Sequence, residues 1–171
     1  MGGRSLGGWR RACGVAGAEG PHEAPHGGAA MRIVGGRWAG RTLTSPSGRV
    51  RPTAEAVRRA LVPLARKGLE AAGFPGGIEG ARVADLFAGT GAVGIELLSH
   101  GASTCDFVED SPSALHALKA NVAGLRLPRG RTRIFRRDAI PMVEATPTHH
   151  WDLVFMDPPW GSAKLARVVE G

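Results

Sequence analysis

Apolar residues in this chain gather in short runs separated by glycine, proline and charge. Val83-Ala84-Asp85-Leu86-Phe87 is one such run, residues 104–108 a second, and Leu153-Val154-Phe155-Met156 a third. Runs of four or five apolar residues bounded by turn formers read as strands. The first continues into Ala88-Gly89-Thr90-Gly91-Ala92-Val93-Gly94 and then into Ile95-Glu96-Leu97-Leu98, a helical pattern. A strand that enters a glycine-rich turn and leaves it as a helix, with strands and helices alternating behind it, predicts an α/β core. That core is expected over residues 78–171, with Asp138 at the close of its third strand.

Ahead of the core the pattern changes twice. Residues 1–30 hold nine glycines and no sustained apolar period, so they cannot bury a core and are expected to be disordered. A start chosen upstream of the true one at Met31 is the preferred explanation of that stretch. Residues 31–73 form a separate small unit. A hairpin is expected from Arg32 to Trp38 and Arg41 to Thr44 around Ala39-Gly40, then a loop at Ser45-Pro46-Ser47-Gly48. A helix capped by Thr53 follows, with Val57, Leu61 and Leu64 on one face, Arg58 and Arg59 on another, and an interruption or kink at Pro63.

Charge sharpens that division. The chain of 171 residues carries a net +7, and residues 31–70 alone hold nine Lys or Arg against two Glu. Residues 71–171 are nearly neutral. A basic block ahead of a neutral core suggests contact with phosphates, since Lys and Arg displace counterions from nucleic acid. Arginine greatly outnumbers lysine, so a composition bias with a solvated surface gives the same charge. A second arginine cluster, Arg126 to Arg137, reads equally as an exposed loop and strand flank. Cys13 and Cys105 share no metal-ligand spacing and fit a reducing cytoplasm. His149-His150 have no Cys or acid at zinc-like spacing, so no metal site is expected. No long apolar stretch offers a signal peptide or membrane span.

The sharpest chemical signal is Asp157-Pro158-Pro159-Trp160, directly after the last apolar run. Two consecutive prolines make a stiff segment that cannot fold back into a helix, so its carbonyls face outward. A planar amine, such as the exocyclic nitrogen of a nucleobase, would donate one hydrogen to the Asp157 carboxylate and another to the Pro158 carbonyl while Trp160 stacks on the ring. Upstream, Gly89 and Gly91 permit a tight turn and close approach of a ligand to the backbone. Glu109-Asp110, about twenty residues beyond, stand where such folds hold a ribose. The glycine turn by itself also suits a dehydrogenase or an ordinary strand-to-helix turn.

Taken together, the chain resembles the RsmD-type RNA methyltransferases, which methylate the exocyclic amine of a guanine in bacterial small-subunit ribosomal RNA. The resemblance is carried by Met31-Arg32-Ile33-Val34-Gly35-Gly36-Arg37-Trp38-Ala39-Gly40-Arg41, Arg51-Pro52-Thr53, Asp85-Leu86-Phe87-Ala88-Gly89-Thr90-Gly91, Phe107-Val108-Glu109 and residues 152–160. It implies a Rossmann-like S-adenosylmethionine-dependent methyltransferase fold, a three-layer αβα arrangement. It implies that Asp85, Phe87, Ala88, Gly89, Thr90, Gly91, Glu109, Asp110, Asp138 and Ala139 bind the cofactor, with Asp138 near the adenine amino group. Asp157, Pro158, Pro159 and Trp160 would hold and activate the target amine. Arg32, Arg37, Arg41 and Arg51 would contact RNA, the partner being small-subunit ribosomal RNA or the assembled small subunit, with the enzyme a cytoplasmic monomer.

The family's sheet resembles a seven-stranded one, whereas this sequence accounts for about four strands and stops eleven residues after Trp160. A truncated product is therefore expected, with Leu153 to Met156 as an apolar edge and reduced stability. A DNA adenine amino-methyltransferase and an inert S-adenosylmethionine- or RNA-binding module remain as alternatives.

Overall fold

The computed structural model describes residues 31–45, 54–144 and 150–158. The glycine-rich extension, the loop at 46–48, Arg51-Pro52-Thr53, Cys13, His149, Pro159 and Trp160 lie outside the described residues.

Four parallel strands, β1 (Arg82–Leu86), β2 (Thr104–Glu109), β3 (Thr132–Arg136) and β4 (Leu153–Met156), form one sheet in the order β3-β2-β1-β4. Parallel neighbours need crossovers, and α2 (Ala92–Ser99), α3 (Pro112–Gly124) and α4 (Ile140–Glu144) supply them. Covered on both faces, β1 and β2 are almost wholly buried. Alternate residues then serve opposite layers. Val83, Cys105 and Phe107 pack with Ile95 and Leu97 of α2 and Leu118 of α3. Ala84, Leu86 and Val108 pack on the other face with Ala139 and Met142. The result is the three-layer α/β arrangement expected from the alternation of elements.

Helix α2 can lie this close to the sheet because residue 94 has no side chain. A Cβ on Gly94 would sit 2.4 Å from Phe107 Cε1 and 2.6 Å from Cys105 Sγ. Helix α3 starts cleanly because Pro112 stands in its first turn, where the missing N–H costs nothing and the fixed φ is already helical.

The segment before the core departs from expectation in its hairpin, in the cap of its helix, which is Ala54 with no side-chain hydrogen bond rather than the expected Thr53, at Pro63 and in the buried helix face. Arg32 and Thr42 make a single antiparallel bridge, and Ile33 N–H donates to Arg41 O while Leu43 N–H donates to Met31 O. Between them the chain turns through a 3₁₀ helix, Gly36–Trp38, so the expected strand to Trp38 ends early. Gly36 adopts φ +72°, which closes the turn before a second strand can form.

Helix α1 (Glu55–Ala71) runs through Pro63 without interruption. Pro63 is exposed, and its ring and missing N–H fall on the solvent side. Its buried face is Arg58, Val62, Ala65 and Leu69, whereas Val57 and Leu64 are 44% and 62% exposed. Of the face expected from Val57, Leu61 and Leu64, only Leu61 packs partly against the core, while the other two point to solvent. Arg58 wins the inward position because its charge is met there: Nη2 donates to Arg32 O at 2.8 Å, and Nε lies 3.9 Å from Glu96 Oε2. Arg59 behaves as expected and pairs with Glu55 on the surface.

Candidate active site

The parallel register assembles one end of the sheet from residues far apart in sequence. Leu86 pairs with Val108 on one side and with Met156 on the other. Consequently Phe87 and Asp157, each one step past its strand, fall level with Glu109, the last residue of β2, at the carboxyl edge. Adjacent strands lie about 4.8 Å apart, so the Glu109 and Asp157 backbones flank the exit of β1 at roughly twice that spacing. The order β3-β2-β1-β4 also reverses direction between β1 and β4, the position at which open α/β sheets form a crevice for ligands.

The glycine turn is shaped for that crevice. Phe87 leaves β1 with φ +62°, a left-handed conformation that a bulky residue adopts only when its surroundings enforce it. Gly89 follows at φ +56°, and a Cβ there would meet nothing within 4 Å, so the backbone crest is open to an approaching ligand. Gly91 at φ +76° is different: a Cβ would lie 2.3 Å from Leu118 Cδ1. Gly89 therefore serves access and Gly91 serves packing.

Glu109 binds the turn to the end of β2. Its Oε2 accepts from Gly89 N–H at 2.7 Å, and its Oε1 accepts from Asp110 N–H at 3.0 Å and Ser111 N–H at 2.8 Å. A carboxylate has about four acceptor positions, so three backbone donors leave room for one hydroxyl. Asp85 lies beneath, buried, and accepts from Gly94 N–H at 2.8 Å. Burial pushes its pKa up to about 8, with nearby Asp157 and Glu109 adding to the rise and the Gly94 hydrogen bond opposing it. Asp138 stands two residues past β3 rather than at its last residue, where Oδ1 accepts from Ile140 N–H at 3.1 Å. Ala139 is buried beside it.

Asp85, Phe87, Ala88, Gly89, Thr90, Gly91, Glu109, Asp110, Asp138, Ala139, Asp157 and Pro158 thus gather at one edge of the sheet. Asp157 is exposed and Pro158 buried. Arg32, Arg37 and Arg41 lie elsewhere, exposed on the amino-terminal arm. Among the described residues no cluster of three or more His, Cys, Asp or Glu is placed to hold a metal, and no helix is long and apolar enough to cross a membrane.

Sequence reasoning missed the residues that fasten the arm to the core. Glu96, buried on α2, accepts from Val34 N–H at 2.9 Å and Gly35 N–H at 2.7 Å. Asn121, buried on α3, accepts from Thr44 N–H at 2.6 Å and donates to both Thr44 O and Thr90 O at 3.0 Å. It therefore ties the arm to the glycine turn. The available signal was an acid inside the apolar helical run Ile95-Glu96-Leu97-Leu98, since a buried carboxylate requires donors from elsewhere.

Sheet order, glycine turn and the acids at the carboxyl edge define a Rossmann-like methyltransferase fold. The chain belongs to the family described as Conserved hypothetical protein 95, whose pattern matches residues 31–170. It is 33% identical over 142 residues to "Putative rRNA methyltransferase YlbH" of Bacillus subtilis, covering 81% of this chain and 72% of that protein. It is 32% identical over 144 residues to Ribosomal RNA small subunit methyltransferase D of Escherichia coli K12, covering 81% of this chain and 65% of that protein. The solved structure of "Putative methyltransferase yhhF" from Escherichia coli superposes with a TM-score of 0.65 at 29% identity, over 83% of this chain and 71% of that one. The chain thus spans about two thirds of the length of these relatives.

Proposed function

We propose that this chain transfers a methyl group from S-adenosyl-L-methionine to the exocyclic N2 amine of a guanine in small-subunit ribosomal RNA, acting as a cytoplasmic monomer. The observation that carries the reading is the register that sets Asp157-Pro158 level with Phe87 and Glu109, beside the open crest of Gly89. The relatives named as ribosomal RNA methyltransferases supply the substrate class.

The residues suit the cofactor. Glu109 has acceptor capacity left for a ribose hydroxyl, the Gly89 crest admits the backbone-to-ligand approach that a Cβ would obstruct, and Asp138 offers a carboxylate to an adenine amine. S-adenosylmethionine supplies a methyl group already activated by its sulfonium. The protein's main task is then alignment, together with activation of a poor nucleophile. Guanine's amine is weakly basic because its lone pair is delocalised into the ring. Asp157 and the Pro158 carbonyl accept its two hydrogens, favour a pyramidal nitrogen and concentrate its electron density. Negative charge at Asp157 also stabilises the positive charge that develops on nitrogen. Trp160 stacks on the base once it leaves its neighbours, with Pro159 stiffening the segment.

The test is transfer of labelled methyl to small ribosomal subunits that lack the modification, followed by nucleoside identification. Label in N2-methylguanosine, lost in Asp157→Ala, is the expected result. Label in another nucleoside, or transfer unaffected by Asp157→Ala, overturns the reading.

A further inference from the structure

A polar cleft of about 430 Å³ lies at the opposite end of the sheet from the candidate active site. Its walls include Arg37 and Trp38 of the arm, Glu79 ahead of β1, His100 and Gly101 ahead of β2, and Arg131 ahead of β3. The core residues in it lie just ahead of strands or, for Leu98 and Ser99, at the carboxyl end of α2, so it opens at the amino edge. Strand β1 spans five residues at about 3.3 Å each, which puts the cleft on the order of 16 Å or more from Asp157. Clefts that hold small ligands run from about 300 to 1,000 Å³, and this one falls within that range.

The walls are braced rather than loose. Trp38 N–H donates to Ser99 Oγ at 3.0 Å, and Ser99 Oγ donates to Gly35 O at 2.6 Å. The Arg131 guanidinium donates to the carbonyls of Ser103 and Ala102. His100 Nε2 sits 3.5 Å from Glu96 Oε1. Against this fixed frame, Arg37 is exposed, its guanidinium 6.0 Å from the Trp38 ring centre, and among the described residues no carboxylate pairs with it. A guanidinium has five donors in a fork that matches phosphate oxygens, and Arg131 spends only part of its set on the two carbonyls.

We infer that this cleft binds one nucleotide of single-stranded RNA, several nucleotides along the strand from the target base, with its phosphate on Arg37 and Arg131 and its base against Trp38. The inference rests on the reading of the chain as an RNA-modifying enzyme. Phosphate, aromatic face and acceptor are the combination that a nucleotide satisfies at once: Arg for the diester, indole for the base, and Glu79 for a ribose hydroxyl or base amine. An inorganic anion would use the cations alone and be opposed by Glu79. The separation of the two sites corresponds to several nucleotides, at roughly 3.4 Å per residue of a stacked strand. The cleft would therefore hold the substrate at a second point along its backbone and set which segment reaches Asp157.

The test uses the full chain and a fluorescein-labelled single-stranded RNA dodecamer, with binding followed by anisotropy and S-adenosylmethionine binding measured separately by calorimetry. Arg37→Glu is expected to weaken RNA binding about tenfold and to lower the slope of log K against log salt by about one, leaving cofactor binding unchanged. Arg59→Glu, outside the cleft, serves as the charge-matched control and is expected to match wild type more closely. Ultraviolet crosslinking of wild type should place RNA on the peptide containing Trp38. RNA and cofactor binding with no Arg37→Glu effect and crosslinks elsewhere overturn the cleft alone. Displacement of RNA by low millimolar inorganic phosphate at matched ionic strength assigns the cleft to free phosphate and overturns the nucleotide. A wild-type chain that binds neither RNA nor cofactor overturns the cleft and the functional reading together.

Discussion

Asp85 holds its proton to a higher pH in the folded chain than it would unfolded, because burial next to Asp157 and Glu109 disfavours a third negative charge. The folded pKa is about 8 against an ordinary value of 3.8. The folded state therefore binds more protons than the unfolded state between those limits, and Asp85's contribution to stability is present below about pH 4 and lost as pH rises toward 8. The expected slope is on the order of 1 kcal/mol per pH unit at its steepest. Asp85→Asn keeps an oxygen for Gly94 N–H and removes the titration, so chemical denaturation across pH 5 to 8 should give a flatter profile for the variant. An equal slope in both proteins would show that Asp85 is ionised throughout. Gly94 is a second residue whose role is steric. Gly94→Ala places a methyl against Phe107 and Cys105, and overpacking of this kind costs about 1–3 kcal/mol. A denaturation midpoint unchanged from wild type would mean that α2 can slide away from the sheet at little cost.

Among the elements, Asn121 couples two that the sequence keeps 77 and 31 residues from it. Its amide meets Thr44 of the arm and the Thr90 carbonyl of the glycine turn. Asn121→Ala leaves the buried Thr90 carbonyl and the partly exposed Thr44 backbone groups without their partner, a cost of about 1–3 kcal/mol. Because Thr90 borders Gly89 and Gly91, the variant should also bind S-adenosylmethionine several-fold more weakly by calorimetry. Stability loss with undiminished cofactor affinity would confine Asn121 to holding the arm. The same element scale shows what was legible in the sequence. β1, β2, β4 and the glycine turn are local patterns with punctuation at both ends, so their positions follow from composition over a few residues, whereas β3, with only Ile134 and Phe135 between arginines, carries no such run. The inward face of α1 does not, because 57, 61 and 64 satisfy a helical period as well as 58, 62, 65 and 69 do. The choice falls to Glu96, 38 positions beyond Arg58 and visible only once α2 packs beside it. Asp157 stood out in the sequence because Asp157-Pro158-Pro159-Trp160 is contiguous, whereas the cleft at the amino edge joins residues from four separate segments.

For the whole molecule, the arm and the sheet share one apolar cluster. Ile33 and Leu43 are buried with Val62 and Leu69 of α1 and with Ile95 and Leu97 of α2. The polar fastening runs through Glu96, which receives two arm amides and faces the Arg58 guanidinium. Burial lowers the Arg58 pKa while Glu96 raises it, so the cation depends on that carboxylate to remain inside. Removing one partner of a buried pair leaves the other charge uncompensated, at about 3–5 kcal/mol. Glu96→Ala should therefore destabilise the entire fold rather than release the arm alone. Hydrogen exchange distinguishes the two. In wild type the amides of Val34, Gly35 and Trp38 should exchange with protection approaching that of β1, because the arm cannot leave without exposing the shared core. Arg58→Met in the Glu96→Ala background should recover part of the loss, since it removes the stranded cation and keeps apolar volume. Rapid exchange of the arm amides in wild type, with β1 still protected, would instead describe an arm that opens independently of the sheet it covers.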